Sequence, residues 1–316
     1  MLHFFTSITT NYIPKARVLA GSVKRHNPGA VFHLILSDKL PEMFSLEEEP
    51  FDTVFTIEQL GISNLDSWIF KHKLVELCTA VKGQAFLKIF ENTDAEKLVY
   101  LDPDIVVLEK MEALSGLLDK WSIILTPHVV EPDSTHRAIV DNEICSLKHG
   151  VYNLGFLAVR KSEEGLNFLS WWRDRLLSYC YDDIPNGLFT DQRWVDLAPG
   201  FFGDIYILRN KTYNVATWNL SHRPVYRENG KLKIDGENIK FFHFSGFDSG
   251  AQEMMLNVYA PGNKPLLDLR KWYINELENQ GQSTLGSRAC VFATFSNGKP
   301  ISDAHRFLYR ARRDLI

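Results

Sequence analysis

Two carboxylates separated by one proline, in Asp102-Pro103-Asp104, have the residue types and spacing of a cation site. The apolar run before them, 97–101, predicts a buried strand, which Asp-Pro-Asp would end. Because alternate side chains of a strand share a direction, both carboxylates could reach one ion. Mg²⁺ and Mn²⁺ favour oxygen ligands and commonly share their coordination shell with substrate phosphates. An isolated pair of this kind is more often a turn with two solvated acids.

Two further strands carry a polar side chain suited to binding. The predicted strand at 151–160 contains Asn153 and then Gly155, and a glycine inside a strand usually marks a bulge or a close backbone approach. The predicted strand at 239–244 contains His243, whose neutral imidazole can bind a divalent ion. A structural bulge and a buried core histidine are the alternatives for these two residues.

A third stretch, Thr190-Asp191-Gln192, precedes a predicted helix. Thr190 could cap that helix and Asp191 would lie in its first turn, so capping is the structural alternative to binding. Further along, Arg223 could face a pyrophosphate, or it could be structural.

A β-α-β unit must position the N-terminal polar residues. Its parallel strands and right-handed crossover would place ligands at the carboxyl ends of the strands, close to the polar loop 6–12. No glycine-rich phosphate-binding motif occurs there, which argues against a typical dinucleotide or P-loop site. The unit is predicted from a strand at 2–6, a helix at 13–25 and a strand at 30–36.

Three other segments have simpler predictions. The region 66–90 has the pattern of one long helix, and we expect its lysines to be solvated, as surface lysines usually are: Lys71, Lys73 and Lys88. The acidic, polar segment 131–147 predicts a loop or lid. The apolar run 291–295 predicts a strand.

Composition indicates an ordinary folded protein. The 316 residues are 45% hydrophobic and 23% charged, and the net charge of −4 argues against general nucleic-acid binding. No apolar run reaches the roughly 18–20 residues of a membrane-spanning helix, and the first residues lack the pattern of a signal peptide. The four cysteines form no C-x-x-C motif, so we expect reduced thiols and a cytoplasmic protein.

The C-terminal region is less informative. Its basic residues could form an amphipathic end that touches anionic lipid at the inner face of a membrane, or a solvated helix. We predict a boundary that separates a main domain, 1–250, from a C-terminal extension, 251–316, that is helical or lies near a membrane. The basic residues are Arg306, Arg310, Arg312 and Arg313.

Taken together, the motifs resemble those of GT-A-fold glycosyltransferases, and most closely the glycogenin-like and bacterial galactosyltransferase type, glycosyltransferase family 8. Four elements occur in the order of that family, over roughly residues 1–250. They are Tyr100-Leu101-Asp102-Pro103-Asp104, Tyr152-Asn153-Leu154-Gly155, Thr190-Asp191-Gln192 and His243-Phe244-Ser245-Gly246. The resemblance implies an α/β fold with a Rossmann-like, mixed and mainly parallel sheet flanked by helices, and a small C-terminal helical extension. It also implies that residues 1–250 form the catalytic domain, which binds the nucleotide sugar, and that the extension could contribute to acceptor binding.

The resemblance also implies an activity and roles for residues. The enzyme would move a sugar from a nucleoside-diphosphate donor, UDP-sugar in the first instance, to a glycan, lipid-linked or protein acceptor with retention, as in bacterial polysaccharide synthesis. The implied roles are Asp102, Asp104 and His243 for Mn²⁺ or Mg²⁺; Thr6, Thr10, Tyr12 and Asp102 for the nucleotide; Asn153, Asp191 and Gln192 for the donor sugar; and Asp191 and Gln192 for catalysis.

The sequence departs from the family at two points, of which the first, Pro103 in place of a small residue, does not move the carboxylates. The usual Lys-Pro-Trp after the histidine motif is replaced by Phe247-Asp248-Ser249, so the resemblance supplies no phosphate-contacting lysine there. An inverting mechanism would need a carboxylate base, for which Asp248 is the unassigned acid.

Two other functions compete with sugar transfer. In a HAD-like phosphatase Asp102 would be the nucleophile, but the nearest match to the later acid cluster, at 203–208, lacks its second acid. A non-catalytic sugar-binding protein is the other alternative, because fold does not fix function.

Overall fold

The chain folds into strands and helices that alternate along most of its length. A computed structural model describes residues 1–42 and 44–312. The strands are β1 His3–Ile8, β2 Val31–Leu36, β3 Thr53–Thr56, β4 Lys97–Leu101, β5 Ile105–Val107, β6 Ile123–Pro127, β7 Tyr152–Arg160, β8 Asp182–Asp183, β9 Leu188–Phe189, β10 Ile205–Ile207, β11 Tyr226–Glu228, β12 Lys231–Ile234, β13 Glu237–Asn238 and β14 Phe241–His243.

The α-helices pack mainly around these strands. They are α1 Ile13–His26, α2 Leu65–Phe70, α3 Leu74–Ala80, α4 Lys82–Asn92, α5 Glu112–Lys120, α6 His136–Ala138, α7 Cys145–His149, α8 Glu163–Tyr179, α9 Gln192–Val195, α10 Ala198–Phe201, α11 Ala251–Tyr259, α12 Lys264–Asn279, α13 Gln282–Leu285 and α14 Asp303–Ala311. A π-helical turn, Ile139–Ile144, joins α6 to α7.

A seven-stranded sheet in the order β10-β6-β7-β4-β1-β2-β3 forms the centre of the molecule. Strand β7 runs antiparallel to β4 and β6, and the other neighbours are parallel. Successive residues of β1, Phe4 and Phe5, are fully buried in two different apolar clusters, one on each face of the sheet. The predicted mixed, mainly parallel sheet flanked by helices is therefore confirmed.

The short antiparallel pair of β5 and β14 brings the end of β14 to the turn formed by Asp102-Pro103-Asp104. In this pair of β5 and β14, His243 lies opposite Ile105. The Phe244 N–H donates to the Asp104 carbonyl oxygen at 2.8 Å, which extends the pairing by one residue. The register thus fixes His243 beside both aspartates, although His243 and Asp104 are 139 positions apart in the sequence.

Several local predictions are wrong. The region 66–90 forms three helices, α2, α3 and α4, instead of one. Lys71 is buried and donates to the Leu177 carbonyl oxygen at 2.9 Å, and burial lowers the pKa of Lys71 to about 8. The segment 131–147 is largely helical from 136 onward, so the loop alternative is wrong and the lid alternative stays a prediction. The segment 291–295 contains the 3₁₀ turn Val291–Ala293 in place of a strand.

Two arginines of the basic C-terminal helix point into the protein. Arg306 is buried and donates to the carbonyl oxygens of Phe70 and Phe292, each at 2.9 Å. Arg310 binds the buried carboxylate of Glu76. These two arginines are therefore occupied within the protein, the contact of this end of the chain with lipid stays a prediction, and Arg313 lies outside the described residues. None of the described helices has the length and apolar character needed to cross a bilayer.

The C-terminal helices pack onto the first helix. Val18 of α1 shares an apolar cluster with Leu256 of α11 and with Leu266 and Tyr273 of α12. The division at residue 250 stays a prediction.

Candidate active site

Polar residues converge on a cavity at the edge of the sheet where β1, β2, β4 and β6 end and β7 begins. The cavity has a volume of about 650 Å³ and an open mouth on the surface. Its polar lining includes residues from all four sequence motifs and from two places that the motifs do not cover. These residues are Lys82, Asp102, His128, Asn153, Asp191, Gln192 and His243.

Asp102, Asp104 and His243 form a candidate divalent-metal site. One ligand atom from each lies within 4.8 Å of the others. The His243 Nε2 atom is 3.1 Å from Asp104 Oδ1 and 3.8 Å from Asp102 Oδ2. Two carboxylates with one imidazole are a suitable donor set for Mn²⁺ or Mg²⁺, and the side chains of both aspartates keep some exposure, 28% and 19%.

An asparagine orients the histidine. His243 Nδ1 is 3.3 Å from Asn214 Oδ1, an acceptor, so Nδ1 carries the proton and Nε2 faces the aspartates. The Asn214 backbone has a φ of 51°, in the left-handed region that asparagine tolerates better than most residues. This interaction fixes the ring in an orientation suited to binding a cation.

The histidine and Asp104 interact strongly when no cation separates them. Burial opposes a charged imidazole, but the carboxylate of Asp104 and then that of Asp102 outweigh it, so the pKa of His243 is raised. Burial likewise opposes ionisation of Asp104, yet His243 and then Lys15 lower the pKa of this carboxyl. A cation at the site would take the place of the histidine proton.

Gly155 leaves the space that this site needs. A Cβ atom at this position would lie 2.5 Å from His243 Cε1, 2.8 Å from Asn153 Oδ1 and 2.9 Å from Asp102 Oδ2. The Gly155 carbonyl oxygen also accepts a 2.9 Å hydrogen bond from the Asp102 N–H. The glycine in the β7 motif is thus explained by close approach of three polar groups.

Lys82 links the metal site to the motif at 190–192. Its Nζ atom lies 2.8 Å from Asp191 Oδ2, 3.4 Å from Asp102 Oδ1 and 3.0 Å from the Leu154 carbonyl oxygen. The lysine and Asp191 side chains are 2% and 4% exposed. Burial opposes the ammonium charge, but Asp102 and Asp191 outweigh it and raise the pKa of Lys82.

Thr190, whose backbone is strained, orients the side chain of Asp191, and Asp191 does not cap a helix. Thr190 has a φ of 45°, which is unusual and costly for a β-branched residue. Its hydroxyl donates to Asp191 Oδ1 at 3.0 Å, and neither side chain caps α9, so the capping alternative is wrong. Burial raises the pKa of Asp191, and Lys82 opposes that rise.

Asn153 and Gln192 line the cavity but are tied to the protein. Asn153 Nδ2 lies 3.0 Å from His128 Nε2, and its Oδ1 accepts from Asn214 Nδ2 at 3.2 Å. Gln192 accepts from the Leu154 N–H and donates to a carbonyl oxygen of α7. Their assignment to the donor sugar stays a prediction.

The N-terminal residues predicted to bind the nucleotide lie outside the lining of this cavity. Thr6 is buried, and its Oγ1 has no hydrogen-bond partner among the described residues. The Thr10 N–H donates to Asp38 Oδ2 at 3.1 Å, and the Tyr12 hydroxyl donates to Asp248 Oδ2 at 2.6 Å. Their role in nucleotide binding also stays a prediction.

Arg223 does not face the site. It is buried, and it donates to the carbonyl oxygens of Tyr213 and Asn214 at 2.7 and 3.2 Å. Its interpretation as a residue that faces a pyrophosphate is therefore wrong.

The sequence motifs did not identify Lys82 or Asn214. A signal for Lys82 was present, because it begins a buried helical stripe with Ala85, Phe86 and Ile89 at spacings of three, four and seven residues. A lysine on such a stripe must have a buried partner. Asn214 has no comparable local signal, because its importance comes from contacts with residues distant in sequence.

Comparisons with known proteins give distant similarities. No protein-family model matches the chain. It is 26% identical over 184 residues to YfnF and 24% identical over 253 residues to YfnD, both uncharacterized proteins of Bacillus subtilis (strain 168). These matches cover 54% and 78% of this chain, and 57% and 78% of the two relatives.

Among solved structures, the chain is similar to the galactosyltransferase LgtC in complex with donor and acceptor sugar analogs. The TM-score is 0.48 at 18% identity, over 88% of this chain and 96% of LgtC. The case for a function in this chain rests on the geometry of its own site.

Proposed function

We propose that this protein is a metal-dependent glycosyltransferase with a GT-A fold. It moves a sugar from a nucleoside-diphosphate donor, UDP-sugar in the first instance, to a glycan, lipid-linked or protein acceptor, with retention of configuration. The observation that carries the proposal is the juxtaposition of the Asp102–Asp104–His243 cluster with the buried Lys82–Asp191 pair on one cavity. The first group suits a diphosphate with its cation, and the second suits sugar hydroxyls.

The residues divide the work between the two halves of the donor. Asp102, Asp104 and His243 hold Mn²⁺ or Mg²⁺, which supplies electrostatic stabilisation of charge on a departing diphosphate. Thr6, Thr10 and Tyr12 bind the base and ribose, and Asp102 also approaches the ribose.

Asp191 accepts hydrogen bonds from the sugar hydroxyls, and Lys82 keeps that carboxylate charged and fixed. Asn153 and Gln192 complete the sugar pocket, with Gln192 near the reacting carbon. The bond from the anomeric carbon to the diphosphate oxygen breaks, and a bond from the same carbon to the acceptor oxygen forms on the same face. The acceptor proton passes to the leaving phosphate oxygen, so retention requires no separate protein base.

Hydrolysis of a panel of nucleotide sugars tests the proposal. The protein should slowly release the nucleoside diphosphate from one donor, and only when Mn²⁺ or Mg²⁺ is present. A phosphatase that uses Asp102 as nucleophile should instead cleave an aryl phosphate, and a sugar-binding protein should do neither. The lowered pKa of Asp104 also disfavours the proton-donor role that a phosphatase of that kind requires.

Asp104→Asn tests the metal assignment directly. Because the amide is a poor cation ligand and nearly isosteric, metal-dependent UDP binding should be lost while the variant stays folded, with a thermal unfolding midpoint lowered by the loss of the ion pair with His243. Calorimetry with UDP and Mn²⁺ measures the first and thermal unfolding the second. Asp268→Asn, at an exposed position of α12, is the matched control. Unchanged UDP–Mn²⁺ affinity in Asp104→Asn would falsify the assignment.

A further inference from the structure

A second buried lysine, which has no role in the proposed function, contacts the turn that follows the candidate metal ligand His243. Lys15 belongs to the first turn of α1, and its side chain is 3% exposed. Its Nζ atom lies 2.5 Å from Asp248 Oδ2 and 4.2 Å from the centre of the Tyr12 ring. The same Asp248 oxygen accepts the Tyr12 hydroxyl.

This lysine contacts the turn that follows the candidate metal ligand His243 and the region predicted to bind the nucleotide. Its Nζ atom lies 5.7 Å from the centre of the Phe247 ring in that turn. The Phe244 N–H of the same turn donates to the Asp104 carbonyl oxygen at 2.8 Å. Burial and the Asp248 carboxylate raise the pKa of Tyr12, and Asp104 contributes to that rise. Lys15 therefore contacts both the predicted base-binding tyrosine and the turn that follows His243, where a diphosphate would be expected.

We infer that Lys15 binds the phosphate oxygens of the nucleoside-diphosphate donor, and that Asp248 occupies this place in the free protein as a carboxylate that the donor displaces. The inference rests on the proposed function. It assigns the phosphate-binding cation to helix α1, in a chain whose histidine motif is followed by Asp248 instead of a lysine.

The charges of the site favour this assignment. A diphosphate esterified at both ends carries about two negative charges, which one divalent cation balances. Asp102 and Asp104 then leave an excess of negative charge in a largely buried place, and such an excess is costly. Lys82 is already paired with Asp191 at 2.8 Å. Lys15 can supply the remaining positive charge once Asp248 leaves it.

The turn that carries Asp248 is built so that the side chain can leave. Asp248 lies between Gly246 and Gly250, which have φ values of 75° and 77°. Hydrogen bonds of this turn are local, from the Phe247 N–H to the Phe244 carbonyl oxygen and from the Gly250 N–H to the Phe247 carbonyl oxygen. The Asp248 side chain is 50% exposed, so its carboxylate can turn toward water without burying a charge.

Calorimetric titration of UDP in the presence of Mn²⁺ tests the inference with three variants. Lys15→Gln should weaken UDP binding about tenfold or more, because a charged hydrogen bond to phosphate is lost. Asp248→Asn should tighten UDP binding, because a competing anion is removed. In Lys15→Gln/Asp248→Asn the gain from Asp248→Asn should disappear, because it depends on the lysine.

Controls separate this effect from loss of the fold or of the metal site. Lys24→Gln, on the exposed part of α1 beside Asp52, should leave UDP affinity unchanged. Binding of Mn²⁺ alone, followed by electron paramagnetic resonance, should change much less than UDP binding in Lys15→Gln. The double variant keeps a neutral pair at the buried position, and thermal unfolding checks that it is folded.

The outcomes distinguish this inference from the proposed function. If the wild type binds UDP with Mn²⁺ and Lys15→Gln binds it equally well, the inference is overturned and the proposed function stands. The same holds if Asp248→Asn weakens binding, because the carboxylate would then contribute to the bound state. If the wild type binds no nucleoside diphosphate with either metal, the proposed function fails, and this inference fails with it.

Discussion

Two buried lysines of the site region, Lys82 and Lys15, differ in the exposure of the carboxylate that each one binds. Lys82 begins the buried stripe of α4, and Lys15 lies in the first turn of α1 after the buried Ile13 and Pro14. The carboxylate partner of Lys82, Asp191, is 4% exposed, whereas the partner of Lys15, Asp248, is 50% exposed. Both ammonium groups are shielded from water, but only one of the two carboxylates is.

The difference indicates which part of the site is built into the fold. Asp191 is tied to the core through its neighbour Thr190 and through its carbonyl oxygen, which accepts from the Trp172 indole at 3.1 Å. Asp248 lies on a surface turn and binds Lys15 and Tyr12 through one oxygen. The Lys82–Asp191 pair is therefore a permanent part of the structure, whereas the donor can take the place of Asp248 in the Lys15–Asp248 pair.

Removing the charge of Lys82 should cause the largest loss of stability. Lys82→Met keeps length and helix propensity but leaves Asp191 buried without a cation, which costs about 3–5 kcal/mol of unfolding free energy. Urea unfolding at neutral pH measures this loss. Lys82→Met/Asp191→Asn should recover most of the stability without recovering donor hydrolysis, because the sugar-binding carboxylate is gone.

A surface lysine on the same helix supplies the control for that experiment. Lys88→Met lies on the same helix, where the lysine pairs with Glu91 at the surface, so its unfolding free energy should stay within about 0.5 kcal/mol of the wild type. A loss below about 1 kcal/mol in Lys82→Met would show that the buried pair contributes no more than a surface pair, and the distinction between the two lysines would collapse.

Gly155→Ala should have a smaller but more localised effect. The added methyl group would lie 2.5 Å from His243 and 2.9 Å from Asp102, so it would push these two side chains apart. Overpacking of this kind costs about 1–3 kcal/mol of stability, and we expect UDP–Mn²⁺ affinity to fall by about tenfold or more because the metal ligands separate. Calorimetry and thermal unfolding measure the two effects.

Gly116→Ala is the matched control, because a Cβ atom there meets nothing within 4 Å. In the middle of α5 this change should raise stability by about 0.5–1 kcal/mol and leave UDP affinity unchanged. Wild-type affinity in Gly155→Ala would mean that the candidate metal ligands do not need their present spacing.

The sequence predicted the parts of the site that depend on local patterns. Apolar runs that end in polar residues located Asp102, Asp104 and His243 at the ends of strands. The general geometry of parallel sheets then predicted that such ends meet. It did not predict that β14 would pair with β5 and place His243 opposite Ile105, since pairing between distant strands leaves no local signal.

The lysines were missed for a physical reason. The pattern of 66–90 does not show that the chain turns between α2, α3 and α4, so it does not determine which side of each helix is buried. The pattern predicts a solvated Lys71 and does not single out Lys82, but both lysines are buried. The burial of a helix face is set by the elements packed against it, here α8 against α4, and not by the helix alone.

The smallest of these effects is a loss of stability at acid pH through His128, a residue that lines the cavity. The His128 Nε2 atom accepts from Asn153 at 3.0 Å, and burial lowers the pKa of His128 to about 4 from an ordinary value of 6.5. The unfolded chain therefore binds a proton on this residue before the folded chain does. Its contribution to stability is complete above about pH 6.5 and is lost as the pH falls toward 4.

His128→Gln keeps an acceptor for Asn153 but removes the titration. The unfolding free energy of the variant should therefore fall less steeply than that of the wild type between about pH 6.5 and 4, while both have similar values near pH 8. His136→Gln, at an exposed position of α6, should keep the wild-type slope. Urea unfolding across this pH range decides the matter, because other histidines contribute equally to both proteins and cancel in the difference. Identical slopes for His128→Gln and the wild type would mean that the cavity admits a charged imidazole, and that this side of the site is less rigid than its buried ion pair indicates.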